Sequence, residues 1–228
     1  MSTIEVKDLV KTFGDGDNCV FAVNNINFTI TLGEFVALMG ESGAGKSSLL
    51  AIMGAMNAPT SGRYIVDDMD VYALSSEQQA DFRREYLGFV FQSFHLVPYL
   101  TVLENVMLPL TSAKLNRKEK RRMATDALDW VGLADKANRL PNQISGGEGE
   151  RCAIARAIVN DPPILLADEP TGNLDSNTSG EIMALLQRLH HQGTTIIMVT
   201  HSMACAQTAH RILEIKDGRL VSDNQIQP

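Results

Sequence analysis

Glycines, a lysine and a serine follow an apolar run near the start of the chain in an order suited to binding phosphate. Residues 40–47 read GESGAGKS and fit the pattern G-x-x-x-x-G-K-[ST]. Such glycines turn backbone N–H groups toward an anion, while Lys46 supplies a positive charge and the Ser47 hydroxyl can ligate Mg²⁺. A flexible glycine turn is the alternative interpretation, which the flanking strand-like and helix-like runs disfavour. The predicted phosphate-binding residues are Gly40, Ser42, Gly43, Gly45, Lys46, Ser47 and Ser48.

Two adjacent carboxylates end a second apolar run. Residues 164–167 are Ile-Leu-Leu-Ala, and Asp168 and Glu169 follow directly. A strand end beside a phosphate loop is where a further ligand of Mg²⁺ is expected, so Asp168 joins Ser47 as a predicted metal ligand. Glu169 is then the candidate general base or water-positioning residue. A solvated strand cap is the alternative, and the phosphate loop favours the chemical interpretation.

Strands alternating with helices would position these groups. Residues 35–39 form a continuous apolar run bounded by glycines, which is typical of a strand buried on both faces of a parallel sheet. A helical pattern covers 177–192, and Asp217-Gly218 predicts a tight hairpin. This alternation predicts an α/β fold with a parallel sheet. Further strands of the same type are predicted at 88–91, 164–167, 195–200 and 211–215.

Two regions depart from that alternation. Residues 4–10 and 21–30 read as strands separated by a turn-rich loop, which predicts an antiparallel opening. From about 98 to 160 the patterns are helical, including 116–131. We therefore expect one domain over 1–228, with a core and β lobe in about 1–92 and 161–228 and a helical lobe in about 93–160.

Composition narrows the class of protein. The 228 residues include 44% hydrophobic and 21% charged residues, as in a globular protein, and their formal charge of −7 disfavours general binding to nucleic acid. Three scattered cysteines predict neither a disulfide framework nor a zinc site. We expect no signal peptide and no membrane span, so that any membrane role comes through a partner. The basic run 117–122 is interpreted as a solvated helix face, with contact to anionic headgroups as the alternative.

The order of motifs resembles that of the ATP-binding-cassette (ABC) ATPases. Ser145-Gly146-Gly147-Glu148, followed by Arg151, is similar to the signature sequence of that family. The other matching positions, in family order, are Gln92, Asp168-Glu169, Asn173-Leu174-Asp175 and His201. The resemblance implies a P-loop NTPase (RecA-like) core with an N-terminal antiparallel β lobe and an inserted α-helical lobe, and it implies hydrolysis of ATP with Mg²⁺.

The resemblance also implies roles for single residues. Gln92 and His201 join Glu169 as catalytic residues, Gln92 also reaches the metal, and Phe13 stacks on adenine. Each has a plainer alternative: Gln92 as a loop residue, His201 as a polar residue after a strand, and Phe13 as core.

A head-to-tail dimer follows from the same resemblance. Each ATP would lie between the phosphate loop of one copy and the signature of the other, which would contribute Ser145, Gly146 and Gly147. Asp175 would contact the nucleotide across the dimer, unless it only caps the following helix.

Two departures from the family pattern carry expectations of their own. The signature continues with Glu148-Gly149-Glu150, where many members have glutamines, and a glycine here predicts a looser start of the helix. Phe13 lacks the hydroxyl of the more usual tyrosine, which removes a hydrogen bond but leaves stacking possible.

The segments 88–98, 104–110 and 170–176 are similar to the macrolide-exporting and lipoprotein-releasing branch. This similarity implies an ATPase subunit at the cytoplasmic face of the membrane, working as a homodimer on an integral membrane permease and not on nucleic acid. We expect a permease helix to dock in a groove lined from Phe94 to Leu110, with Tyr99 and Leu100 exposed. The alternatives are a soluble cassette ATPase acting in DNA repair, translation or cluster assembly, and a scaffold that barely hydrolyses ATP.

Overall fold

A six-stranded sheet forms the centre of the computed structural model, which describes residues 3–14 and 16–226. Its strands follow the order β10-β9-β3-β8-β7-β6, and β9, β3, β8, β7 and β6 are mutually parallel. β10 returns antiparallel to β9 through the predicted turn at Asp217-Gly218. The strands are β3 (Phe35–Met39), β6 (Leu87–Val90), β7 (Ile164–Asp168), β8 (Thr195–Val199), β9 (Arg211–Lys216) and β10 (Arg219–Gln225).

A smaller antiparallel sheet precedes and flanks this core in the order β2-β1-β4-β5. The predicted antiparallel opening is confirmed, because β1 pairs with β2 from Thr3↔Thr31 to Phe13↔Val20. The α/β fold class with an antiparallel lobe is confirmed as a whole. The strands are β1 (Thr3–Phe13), β2 (Val20–Thr31), β4 (Ser61–Val66) and β5 (Met69–Asp70).

Most of the helices begin after a residue whose side chain satisfies their first N–H groups. Ser75, Thr101, Asn116 and Ser145 each form a capping box with the residue three positions later. Between 98 and 160 the structure has helices and no strand, as predicted. The helices are α1 (Lys46–Met53), α2 (Ser76–Tyr86), α3 (Val102–Met107), α4 (Arg117–Trp130), α5 (Gly146–Ile158), α6 (Ser176–His191) and α7 (Met203–Ala206).

The central sheet separates two hydrophobic cores. Along β3, Phe35 and Ala37 face a core shared with the helical lobe, whereas Val36 and Leu38 face a core shared with the β lobe and α1. Alternate residues of one strand are therefore buried on opposite sides, which explains the uninterrupted apolar run. Within the described residues, no helix is long and apolar enough to cross a membrane.

Candidate nucleotide site

The loop between β3 and α1 has a shape that only glycine permits at two points. Gly40 has φ 150° and Gly45 has φ 100°. A Cβ atom at Gly40 would overlap the carbonyl oxygen of Ile215, and one at Gly45 would overlap that of Ala22. No side chain caps α1, so its first N–H groups face the loop without a side-chain partner. These are the conditions for binding an anion at a helix N-terminus.

The Lys46 ammonium group lies inside this loop. Only 4% of the residue is exposed, and Nζ donates to the carbonyl oxygens of Gly40 at 2.9 Å and Glu41 at 2.7 Å. Burial lowers the pKa of Lys46, while the carboxylates of Glu169 and Asp168 act in the opposite direction. The lysine is thus fixed at the centre of the loop, as the loop pattern predicts.

The two predicted metal ligands lie side by side. Ser47, at the start of α1, donates through Oγ to Oδ1 of Asp168, at the end of β7, over 3.4 Å. Burial raises the pKa of Asp168, the hydrogen bond from Ser47 opposes that shift, and the neighbouring Glu169 adds to it. A hydroxyl beside a partly buried carboxylate at a phosphate loop is an oxygen donor set that fits Mg²⁺.

Glu169 lies at the meeting point of the predicted catalytic residues. Its Oε1 is 2.7 Å from Nε2 of His201, and its Oε2 accepts a hydrogen bond of 3.0 Å from Nε2 of Gln92. The three residues follow β7, β8 and β6, and the carboxyl ends of parallel strands share one edge of the sheet. Glu169 also has φ 48°, a conformation uncommon outside glycine and one found preferentially at functional sites.

A cavity of about 390 Å³ joins these groups. Asp168 adjoins it through Ser47. Phe13, the signature residues 145–147 and Asp175 are not among the lining residues. One copy of the chain therefore brings the phosphate loop and the predicted catalytic residues together, but leaves the other predicted contacts elsewhere. The lining residues are Ala22, Ser42, Gly43, Gly45, Lys46, Ser47, Ser48, Gln92, Glu169 and His201.

The predicted residues outside the cavity have clear local roles. Oγ of Ser145 accepts from the N–H of Glu148 at the start of α5. Asp175 caps α6, where Oδ2 accepts from the Thr178 hydroxyl at 2.6 Å and Oδ1 from two N–H groups, and these bonds lower its pKa. Phe13 ends β1, is 49% exposed and has Nζ of Lys11 at 5.2 Å from its ring centre. Contact of these residues with nucleotide stays a prediction.

Gly149 does not interrupt the signature helix, and the looser start expected of that helix stays a prediction. α5 is continuous from Gly146 to Ile158, and a Cβ at Gly149 would lie 3.2 Å from the ring of Phe94. The glycine therefore gives the aromatic ring room against the helix. Phe94 itself has φ 57°.

Sequence reasoning missed the contacts that connect the Gln92 segment to its surroundings. Arg156 donates through Nη2 to the carbonyl oxygen of Phe94 and through Nη1 to that of His95, each at 2.6 Å. Asn173 donates to the carbonyl oxygen of Gln92 at 3.0 Å. No local pattern marks these contacts, because they join residues 61 to 81 positions apart along the chain.

The permease groove expected from Phe94 to Leu110 stays a prediction, and much of that segment is core. Val102, Leu103, Val106 and Leu110 are buried. Tyr99 is exposed as expected, at 79%, but Leu100 is half-buried instead of exposed. A cavity of about 330 Å³ does lie between the core and the helical lobe, but only Pro109 of this segment lines it. Its other lining residues come from α2, β6 and its end, and α5 and its end: Ala80, Arg83, Arg84, Leu87, Gly88, Phe89, Phe91, Arg156, Ala157 and Asn160.

Comparison with curated proteins gives relatives over nearly the whole chain. The sequence is 46% identical to the ABC transporter ATP-binding protein YvrO of Bacillus subtilis, over 97% of each chain. It is 45% identical to the macrolide export ATP-binding/permease protein MacB of Vibrio parahaemolyticus, over 96% of this chain. The chain spans only about a third of the length of MacB, 34%.

Solved structures and the family profile agree with these relatives. A dimeric, post-hydrolysis structure of the ATP-binding cassette MJ0796 bound to ADP and Pi superimposes with a TM-score of 0.91 at 41% identity, covering 99% of both chains. The ABC transporter family profile matches residues 23–172, which hold the phosphate loop, Gln92, the signature and Glu169. The chain therefore belongs to the ABC transporter family and is an ATP-binding-cassette ATPase.

Proposed function

We propose that this cassette hydrolyses Mg²⁺-ATP between two copies of the chain and thereby drives a separate membrane permease from the cytoplasmic face. The observation that carries the proposal is the Glu169 carboxylate, held by both Gln92 and His201 at the mouth of the phosphate loop. A carboxylate beside a phosphate loop can take a proton from an attacking water molecule. The curated relatives that share the cassette are transporter proteins.

The residues of the chain divide the work of hydrolysis. Lys46 and the N–H groups of the loop hold the β- and γ-phosphates, and Phe13 provides a flat apolar surface for adenine. The water oxygen attacks the γ-phosphorus, and Glu169 receives a proton from that water. The bond between the γ-phosphorus and the oxygen that bridges it to the β-phosphate breaks, and ADP leaves with that oxygen. His201 and Gln92 orient the two oxygens of that carboxylate.

Ser47 and Asp168 are the residues that would hold Mg²⁺, with Gln92 as a further oxygen ligand. When bound, the ion supplies positive charge that offsets the negative charge of the phosphates. Burial raises the pKa of Asp168, and a bound cation would stabilise the charged form of this carboxylate.

A second copy would complete the site. The signature residues 145–147 and Asp175 lie outside the cavity that the phosphate loop lines, which supports a contact with the nucleotide of another chain. The MJ0796 cassette, which matches this chain over 99% of its length, is dimeric with ADP and Pi. ATP would then join two copies, and hydrolysis would release them.

The permease would dock in the 330 Å³ cavity between the core and the helical lobe. Phe89 and Phe91 give it an aromatic floor, and Arg83 and Arg84 give it a charged rim, which together suit an amphipathic helix. Phe91 directly precedes Gln92, so a change at the γ-phosphate would reach the docking surface through one residue. Exposed Tyr99 would extend the contact.

The test compares hydrolysis and dimer formation in Glu169→Gln. The substitution keeps size and hydrogen bonding but removes the base, so turnover should fall by at least about 100-fold while ATP still joins two copies. Activity is measured by phosphate release, and dimers by size-exclusion chromatography in ATP and Mg²⁺. Glu77→Gln, on the exposed face of α2, is the control and should behave as the original chain.

Two results would count against the proposal. Normal turnover in Glu169→Gln would remove the role given to the carboxylate, and a monomer under all nucleotide conditions would remove the shared site. Purification of the chain from membranes in detergent, followed by identification of bound integral membrane proteins, tests the permease separately.

A further inference from the structure

The start of α4 carries an unusual concentration of positive charge. Residues 117–122 read RKEKRR, although the chain as a whole carries a formal charge of −7. None of these side chains takes part in the nucleotide site. The helical lobe therefore presents a local cationic surface on an acidic molecule, which is a candidate for recognising an anionic partner.

Helix stability does not account for this charge. Cations near the first turn of a helix oppose its macrodipole and destabilise the helix slightly when they are exposed. Arg117, Lys118 and Lys120 are at such positions, and the Asn116–Glu119 capping box only partly offsets them. An alternative reason for the charge is a ligand that it binds.

Three of the basic side chains, Arg117, Lys120 and Arg121, border a cavity. The cavity, of about 340 Å³, lies between α4 and the segment that ends α3. Met107 and Leu108 provide an apolar wall opposite the cations. Its remaining lining residues are Glu104, Thr111, Arg117, Lys120 and Arg121.

The one carboxylate in this cavity leaves the arginines without an ion pair. Oε2 of Glu104 accepts from both the N–H and the hydroxyl of Thr101 at 2.8 Å, and these bonds, the backbone one foremost, lower its pKa. Across residues 3–14 and 16–226, neither Arg117 nor Arg121 has a carboxylate within 4 Å of its guanidinium. The charges of Arg117 and Arg121 also lower the pKa of Glu104, but neither guanidinium contacts this carboxylate, so both groups are available to an external anion.

The cavity adjoins the proposed permease groove. Leu108 lines the basic cavity and Pro109, the next residue, lines the groove. A permease seated in the groove would bring this edge of the helical lobe toward the bilayer. We propose that the cleft binds an anionic phospholipid headgroup, with Arg117, Lys120 and Arg121 on the phosphate and Met107 and Leu108 against the lipid's apolar part.

This inference rests on the proposed function only for the position of the bilayer, so it can be tested without the permease. The full chain is mixed with vesicles of phosphatidylcholine, with or without phosphatidylglycerol, and bound protein is measured by sedimentation. We expect binding only to the vesicles that contain phosphatidylglycerol, and inorganic phosphate at the same total charge should not displace it. ATP hydrolysis is measured on the same samples.

Two double variants remove equal charge from different faces of α4. Arg117→Gln with Arg121→Gln removes two of the three positive charges that line the cleft. Lys118→Gln with Arg122→Gln removes two positive charges at exposed positions that do not line it. At about 1 kcal/mol per cation, the first pair should weaken vesicle binding roughly 30-fold. The second pair should weaken it less than about threefold, and both should hydrolyse ATP normally.

Three outcomes would overturn the inference. Equal losses in the two pairs would show a diffuse charge effect, and absence of binding to phosphatidylglycerol would show that the cleft takes no lipid. Displacement by inorganic phosphate would assign the cleft to a free anion. If the original chain did not hydrolyse ATP, the proposed function would be contradicted instead, and the result with the vesicles would not be affected.

Discussion

The N-termini of α1 and α5 both have glycines at the start of the helix, where an anion can bind, but only α5 has a side-chain cap. α1 has no side-chain cap, and Lys46 adds a buried positive charge beside its first turn. α5 has a capping box, in which Ser145 and the carboxylate of Glu148 already occupy part of the N-terminal N–H set. We therefore expect the first to bind phosphate within one chain, and the second to add a partial contact to a phosphate held elsewhere.

The largest expected effects are on ATP affinity and turnover, when one residue is substituted in each of these two sites. Lys46→Ala should weaken ATP binding to a single copy roughly 10- to 150-fold, because one charge-assisted contact is worth about 1.5–3 kcal/mol. Ser145→Asp keeps an effective cap but points a negative charge at the phosphate of the other copy. It should leave ATP affinity of the dilute, monomeric chain unchanged and lower turnover at least tenfold.

Nucleotide affinity by calorimetry and phosphate release at increasing protein concentration check this pair of expectations. Lys216→Ala, an exposed change on β9, is the control for charge loss. If Ser145→Asp weakened ATP binding to the monomer, the signature would belong to the site of its own chain and the comparison would fail.

Residues near the nucleotide could be predicted from sequence because their signals are local. The loop pattern, the apolar run before it and the carboxylates after β7 are each a stretch of fewer than ten consecutive residues. Parallel strands then bring the groups at their carboxyl ends together. The convergence of Gln92, Glu169 and His201 follows from that rule. The roles assigned by resemblance to Phe13 and Asp175 stay predictions, because stacking on adenine needs a bound nucleotide and a contact across the dimer needs a second chain.

Other parts of the fold have no local sequence pattern that predicts them. β4 is a short strand with only two buried residues, and its place is set by pairing with β1. α2 is polar on nearly every face and buries only Phe82, so no apolar stripe marks it. The contacts of Phe94 with Gly149 and Arg156 depend on how two distant segments meet.

A smaller effect concerns the interior of the signature helix. Glu150 is 1% exposed, its Oε1 has no hydrogen-bond partner among the described residues, and burial raises its pKa to about 8. The folded chain therefore binds more protons here than the unfolded chain, whose carboxyl has the ordinary value of 4.5. Between these values, stability falls as pH rises, by at most about 1.4 kcal/mol per pH unit.

Glu150→Gln removes this titration and should keep a neutral group in place. Urea unfolding from pH 5 to pH 8 should show the variant gaining stability over the original chain as pH rises, with little difference at pH 5. Glu77→Gln, on the exposed face of α2, should give a constant difference. Parallel curves for Glu150→Gln and the original chain would mean that Glu150 is ionised throughout and that its surroundings solvate the charge.

The smallest effect compares two glycines inside helices. Replacing glycine by alanine in a helix interior adds about 1 kcal/mol of stability where space allows. At Gly180 of α6 a Cβ would meet nothing within 4 Å, whereas at Gly149 of α5 it would press on the ring of Phe94 at 3.2 Å. Gly180→Ala should therefore raise the free energy of unfolding by about 1 kcal/mol, and Gly149→Ala should lose that gain or fall below the original chain.

The Phe94 contact can be isolated with a second change. In a Phe94→Leu background the ring is absent, so Gly149→Ala should recover the helix-propensity gain that it loses in the original chain. Urea unfolding of the four chains gives the coupling between the two positions, which we expect to be about 1 kcal/mol because the added methyl group and the Phe94 ring would be in direct contact in only one of them. Additive changes would mean that the Phe94 ring moves aside freely, and the glycine would then owe its place to the dimer or the permease and not to the fit between α5 and the Gln92 segment.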